Sequence, residues 1–234
     1  LFKAYNGQDV VAEMEIDRRL ENFPVPEDIQ RQWCLDQLIN LRGVAVDMEL
    51  ADSAIILGET VKAQLIAEAQ RISGLQNPNS VAQLTHWLEE ETGEQATVTD
   101  LLGKELSSDA AKRMLEIRRE LGKTSTKKYN AVETCVCSDG RVRGLLLFYG
   151  ANRTGREAGR LVQVQNLPHD VVPAMDTARD LVKARDLDTL RLIYGSVTTP
   201  LSALIRTVFK AGPGMTFIDA DFSAIEARVI AWLA

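Results

Sequence analysis

The chain is 234 residues long, 45% hydrophobic and 26% charged, with a net charge of −6, amounts that suit a soluble globular protein of one large or two small domains. No run approaches the roughly 18 apolar residues of a membrane span and the first residues lack a secretory pattern, so a cytoplasmic protein with no membrane attachment is expected. Three cysteines (Cys34, Cys135, Cys137) and two histidines argue against a disulfide framework or a zinc site, and Cys135-x-Cys137 reads as two residues on one face of a strand.

A helical pattern runs to near Leu20 and is stopped by Pro24 and Pro26 in NFPVPED. A second helix is expected over 28–41, with Trp33, Leu35, Leu38 and Ile39 as its apolar stripe and Gly43 just past its end. GVAVDMEL alternates like a strand and gives way to a long helix over 51–71 that ends at Gly74. NPNSVAQLTHWLEEE reads as a loop feeding a short helix built on Val81, Leu84, Trp87 and Leu88. A further helix over 108–122 points Met114, Ile117 and Leu121 one way, while Lys112, Arg119 and Lys123 can share another face. TSTKKY follows, with hydroxyls and lysines suited to phosphate oxygens.

Next comes a hairpin signal: ETCVC, the turn pair Asp139-Gly140, then RVRGLLLFYG. From Leu161 the chain reads as loop, with Pro168 and Pro173 on either side of an irregular stretch. Helices are expected over 175–182 and after Thr199, then an apolar strand, MTFI, opening onto DADFSAIEARVIAWLA. Charge is unevenly spread along these elements. Residues 112–160 hold 12 Lys and Arg against 5 Asp and Glu, leaving −13 on the remainder. One basic stretch on an acidic body is compatible with a surface for a polyanion, and equally with a solvated face.

A strand running into Asp219 and Asp221, with Ile225, Val229 and Trp232 on one face of a following helix, puts carboxylates at a sheet edge. Magnesium takes one or two such carboxylates with phosphate oxygens and water, the arrangement of phosphoryl-transfer sites; an ordinary turn carrying two acids accounts for the pattern as well. Ser223 and Glu226 have the spacing of a capping box.

The string DFSAIEAR resembles motif A of family A DNA polymerases, the DNA polymerase I-like enzymes of phages and bacteria. The resemblance implies that Asp221 ligates both catalytic magnesium ions, that the Phe222 carbonyl is a further ligand, and that Glu226 lies under the incoming sugar and discriminates against a ribose hydroxyl. FYGANRTGREAGRLVQVQNLP is similar to the family's Thr-Gly-Arg to Gln-Asn-Leu-Pro segment, which implies duplex contacts for Thr154, Arg156, Gln165 and Asn166, with Arg156 in the minor groove of the terminal pair. Glu157 stands where phage members often carry an aromatic residue. LDQLINLRGVAVD, with Asn40, Arg42, Gly43 and Asp47, resembles the lead-in to the polymerase domain. NPNSVAQL and RRELGKTSTKKY resemble the thumb, implying phosphate contacts for Asn79, Ser80, Arg119, Lys123, Thr124 and Thr126. In YNGQD, Tyr5 and Asp9 resemble the last motif of the adjoining proofreading exonuclease.

The expectation is therefore an α+β fold in four parts: the end of an exonuclease-like domain (1–20), the palm base (21–60), a helical thumb (61–130), and the first part of an antiparallel palm ending in motif A (131–234). Its partners are primer–template DNA and deoxynucleoside triphosphates, its cofactors two magnesium ions, and its chemistry in-line attack of a primer 3′-hydroxyl on an α-phosphate. The fingers and the second palm carboxylate are not in the sequence, so the chain by itself is expected to be catalytically incomplete. It reads as part of a longer enzyme, as one half of a split enzyme with a complementing partner, or as a DNA-binding module.

Overall fold

The structure, a computed structural model, describes residues 2–93, 100, 106–122 and 125–234, at 125 and 126 the backbone alone. The described elements are helices α1 (Phe2–Leu20), α2 (Glu27–Arg42), α3 (Met48–Ser73), α4 (Val81–Thr92), α5 (Asp109–Leu121), α6 (Ser125–Cys135), α7 (Met175–Ala184), α8 (Leu187–Tyr194), α9 (Thr198–Leu204) and α10 (Ile225–Leu233), with strands β1 (Val44–Val46), β2 (Arg141–Val142), β3 (Leu146–Ala151), β4 (Arg156–Gly159) and β5 (Phe209–Lys210). The fold is α+β: long helices with small antiparallel sheets. No described helix is long and apolar enough to cross a membrane. Contacts divide the chain into two compact units, one of residues 1–42 with 146–158, the other of 43–145 with 159–234.

The larger unit is organised around α3. Leu50, Ala54, Leu57, Val61, Leu65 and Ala69 recur at helical spacing and are all buried, each leucine contributing about 1.5–3 kcal/mol by leaving water. Asp47 caps the helix start by accepting from Leu50 N (3.2 Å), and Gly74 ends it in the left-handed conformation at φ 70°. Against α3 pack α5, α6 and α7, supplying Met114, Ile117, Tyr129, Val132, Ala178 and Val182 to the same core. Arg113 on α5 grips Glu68 on α3 through two bonds of 2.8 and 3.0 Å. This guanidinium holds the Glu68 carboxyl below its ordinary value against the opposing effect of burial.

Strands β2, β1 and β5 form one antiparallel sheet in that order, with Val44 opposite Val142 and Val46 opposite Phe209. Gly43 makes the close approach possible. Its φ is +59°, and a Cβ there would lie 2.3 Å from the Val142 carbonyl oxygen.

The turn at Asp139-Gly140 forms as expected, with Gly140 at φ 74°. Arg143 donates two bonds (2.8 and 2.6 Å) to Asp139 and holds that carboxyl down at about 2. The flanking strands differ from the sequence reading. ETC is the end of helix α6, so Cys135 closes a helix and Cys137 lies in the turn rather than on a shared strand face. RVRGLLLFYG is two strands of different sheets, separated at Gly144, whose φ of +65° no extended strand adopts. Helix α8 was not expected.

In the smaller unit, α2 forms where its pattern predicts, yet Trp33, Leu35, Leu38 and Ile39 are exposed and the one buried residue is Asp36. Helical spacing identifies a common face; it does not supply the surface that covers it. Asn40 ties α2 to β3, its Nδ2 donating to the Leu146 carbonyl (3.1 Å) while its Oδ1 accepts from Leu146 N (2.9 Å).

Candidate nucleic-acid interface and acidic segment

Strands β3 and β4 form a hairpin whose tip is the Thr-Gly-Arg sequence. Gly155 takes φ +66° against the Tyr149 ring, and the Thr154 and Gly155 amides both donate to the Ala151 carbonyl (3.0 and 2.9 Å). Thr154 Oγ1 accepts from Arg156 N at 3.4 Å, so the threonine orders the turn, and Arg156 opens β4 with an exposed side chain. Glu157, the departure from the aromatic pattern, interacts with Asp36 on α2, and its carboxyl is raised by desolvation and by that second acid. Asp36 Oδ2 accepts from Asn40 and Gln37 (both 3.0 Å), while its Oδ1 has no donor among the described residues.

Gln165 and Asn166 share one 3₁₀ turn, Val164–Asn166, and both are exposed. The turn is entered through Gln163 at φ 52°, whose Oε1 accepts from Asn166 Nδ2 (3.0 Å). Gly159 makes room for Gln165. A Cβ there would meet the glutamine amide at 2.0–2.4 Å.

The thumb-like residues are placed less uniformly. Ser80 caps α4, its hydroxyl accepting from Gln83 N at 3.4 Å, so that oxygen has a structural task. Asn79 Oδ1 accepts from Arg118 (3.5 Å), bringing the start of α4 to α5. Lys112 and Arg119 are exposed on α5, as expected, but Lys112 Nζ is paired with Asp109 (3.1 Å), which reduces the basic ridge. Lys123 and Thr124, and the side chain of Thr126, lie outside the described residues. In KKY, Lys128 donates to the Val162 carbonyl (3.1 Å) and Tyr129 is fully buried with its hydroxyl on the Leu201 carbonyl (2.8 Å), so these two serve packing. Tyr5 and Asp9 are exposed one turn apart on α1.

The expected strand at 215–218 is absent, and with it the sheet edge for the carboxylates. Residues 215–222 are irregular, with Met215, Phe217, Ile218 and Phe222 all exposed. The chain leaves β5 through a turn at Pro213-Gly214, where Gly214 has φ 69°, and among the described residues no neighbouring strand takes up the ladder bonds that a strand requires. Asp219 and Asp221 lie on this exposed segment. Ser223 does not cap the helix, since α10 starts one residue later, after Ala224 at φ 51°, with no side-chain cap. Arg228, the last residue of DFSAIEAR, folds back instead and donates from Nε to the Ser223 carbonyl (2.8 Å), tying the acidic segment to its helix.

Two residues that matter here were not singled out from the sequence: Arg206, which holds the loop after Asn166, and Gly159. A lone arginine inside the apolar run SALIRTVF was the available signal for Arg206; nothing marked Gly159.

No protein-family model matches the chain. In sequence it is similar to a DNA polymerase. Over its whole length it is 49% identical to the DNA polymerase of Bacillus phage SP02, and it spans 37% of that protein's length.

Proposed function

We propose that the chain is part of a DNA-directed DNA polymerase of family A, carrying the thumb and the first part of the palm, and that it binds primer–template duplex. The observation that carries this reading is the end-to-end 49% identity to a phage DNA polymerase; the motif resemblance of DFSAIEAR and of the Thr-Gly-Arg to Gln-Asn-Leu-Pro segment agrees with it.

In this reading Asp221 supplies one carboxylate and Phe222 a backbone carbonyl to magnesium. Both belong to an exposed segment, and among the described residues no group of three His, Cys, Asp or Glu could hold an ion alone. Such a set fits magnesium, which keeps water and substrate phosphates in its octahedron. The ions, when bound, provide charge stabilisation for attack on the α-phosphate and for departure of pyrophosphate. Arg228 fixes the turn that presents Asp221. Glu226, on the first turn of α10, faces the sugar of the incoming nucleotide. Arg156 and the Gln165–Asn166 turn contact the duplex through groups common to all base pairs, and Arg119 and Asn79 add phosphate contacts. Tyr5 and Asp9 belong to the end of an adjoining exonuclease.

Duplex binding by the 234-residue chain, followed by fluorescence anisotropy over a salt series, tests the reading: salt-sensitive binding without sequence preference is expected, and no measurable binding at low salt sinks it. The chain alone is expected not to extend primers. Templated incorporation above that of an Asp221→Ala control would show the site to be complete.

A further inference from the structure

The strand-free segment around Gln165 and Asn166 is pinned on its C-terminal side by one side chain. Arg206 Nε donates to the Pro168 carbonyl (2.8 Å), and Nη2 donates to the Leu167 carbonyl (2.8 Å) and to His169 Nε2 (2.7 Å). A guanidinium has no acceptor, so the histidine nitrogen accepts in this contact. Arg206 is itself held from below. It rises from the 3₁₀ turn Ile205–Val208, whose Ile205 and Val208 are fully buried, next to α9, where Ser202 Oγ donates to Asp170 Oδ2 (2.8 Å). On the other side of the loop, Lys128 takes the Val162 carbonyl.

Residues 162–170 are therefore anchored at one end to helix α6 and at the other to the 3₁₀ turn and α9, while Gln165 and Asn166 stay exposed between the anchors. The fork of a guanidinium can bridge two consecutive carbonyls and a ring nitrogen at once, which an ammonium on a flexible stem cannot. Three bonds to one loop from one planar group restrict that loop before any ligand arrives, and pre-organisation of this kind appears as affinity.

We propose that Arg206 is a positioning residue: it contacts no DNA, and it presets the Gln165–Asn166 turn for the duplex by holding Leu167, Pro168 and His169. This inference rests on the duplex-binding reading above and adds to it a residue that no resemblance supplied.

The test is a double-mutant cycle on the full 234-residue chain, with anisotropy on a primer–template duplex and a parallel thermal melt. Arg206→Ala is expected to weaken binding about three- to tenfold, and Gln165→Ala similarly. The double variant is expected to be no weaker than the weaker single one, because both changes disable one unit. Arg206→Lys keeps the charge but loses the fork, and is expected to bind nearly as poorly as Arg206→Ala; it also decides the matter if Arg206→Ala does not fold. Independent, multiplying losses would make Arg206 a direct contact and overturn the proposal, as would Arg206→Lys with full affinity, or lowered melting temperature with unchanged binding. Absence of binding by the wild-type chain is a separate result that removes the duplex reading and this inference with it.

Discussion

Asp47 and Arg179 meet at 3.0 Å where α3 begins, and Lys183, one turn along α7, reaches the same carboxylate oxygen at 2.9 Å. Asp47 is 8% exposed, and Arg179 also donates to the Thr207 carbonyl (2.6 Å). One acid thus joins the cap of α3, helix α7 and the turn that leads to β5.

Asp47→Ala removes a cap and takes the acid from Arg179, while Lys183 keeps its second partner Glu49 (3.0 Å), so a loss of about 1–3 kcal/mol in urea unfolding is expected. Burial works to raise the Asp47 carboxyl, but the Lys183 contact, the Leu50 amide and the charges of Lys183 and Lys210 outweigh it, and the net shift is downward. A depressed acid stabilises the fold above its unfolded value and loses that contribution as pH falls through the folded value. Wild-type stability should fall below pH 4 more steeply than that of Asp47→Asn; parallel acid profiles would show that the contact does not contribute.

Glu157 has the opposite sign. Desolvation and the neighbouring Asp36 raise its carboxyl, so its contribution is fully present below the ordinary carboxylate range and is lost as pH rises through the raised value. Glu157→Gln keeps the shape without the charge, and should stabilise the chain at pH 7 by at most about 0.5 kcal/mol, since solvent screens this exposed group. The gain should vanish at pH 4. A destabilised variant at pH 7 would mean that the carboxylate is needed as an acceptor.

Two glycines separate stability from binding. Gly43→Ala forces a side chain into positive φ and against the Val142 carbonyl, and should cost about 1–3 kcal/mol from the backbone conformation alone. Gly159→Ala displaces the Gln165 amide, and is expected to lower duplex affinity with a smaller change in melting temperature. Equal affinity for Gly159→Ala and wild type would detach Gln165 from the interface.

Arg119→Ala tests the electrostatic part. Loss of one phosphate contact should reduce the slope of log affinity against log salt by about 0.9. Arg156→Ala should weaken binding to every duplex sequence alike, as a minor-groove contact to shared acceptors requires; sequence-dependent losses would place it elsewhere.

The longer helices are legible in the sequence because their signals are local, whereas α6, read as part of a hairpin, and α8 are not. The pattern over 51–71 with its stop at Gly74, the Met114, Ile117 and Leu121 stripe and the Asp139-Gly140 turn each depend on residues within a few positions of one another. So did the candidate site as a set of names: Arg156, Gln165, Asn166 and Asp221 came from contiguous motifs.

The amino-acid order by itself determined where the longer helices lie, because capping, glycine punctuation and 3.6-residue periodicity are properties of neighbouring residues. Tertiary structure alone decided which faces are covered, which polar atoms are used up, and whether an apolar run such as 215–218 finds a strand to pair with, since those outcomes depend on residues far away in the chain. The stripe on α2 is exposed around a buried Asp36, Lys128 and Tyr129 turn inward, and Arg206 reaches back 37 residues to His169. Hydrogen bonds and burial are satisfied in space, and no local pattern records the partner.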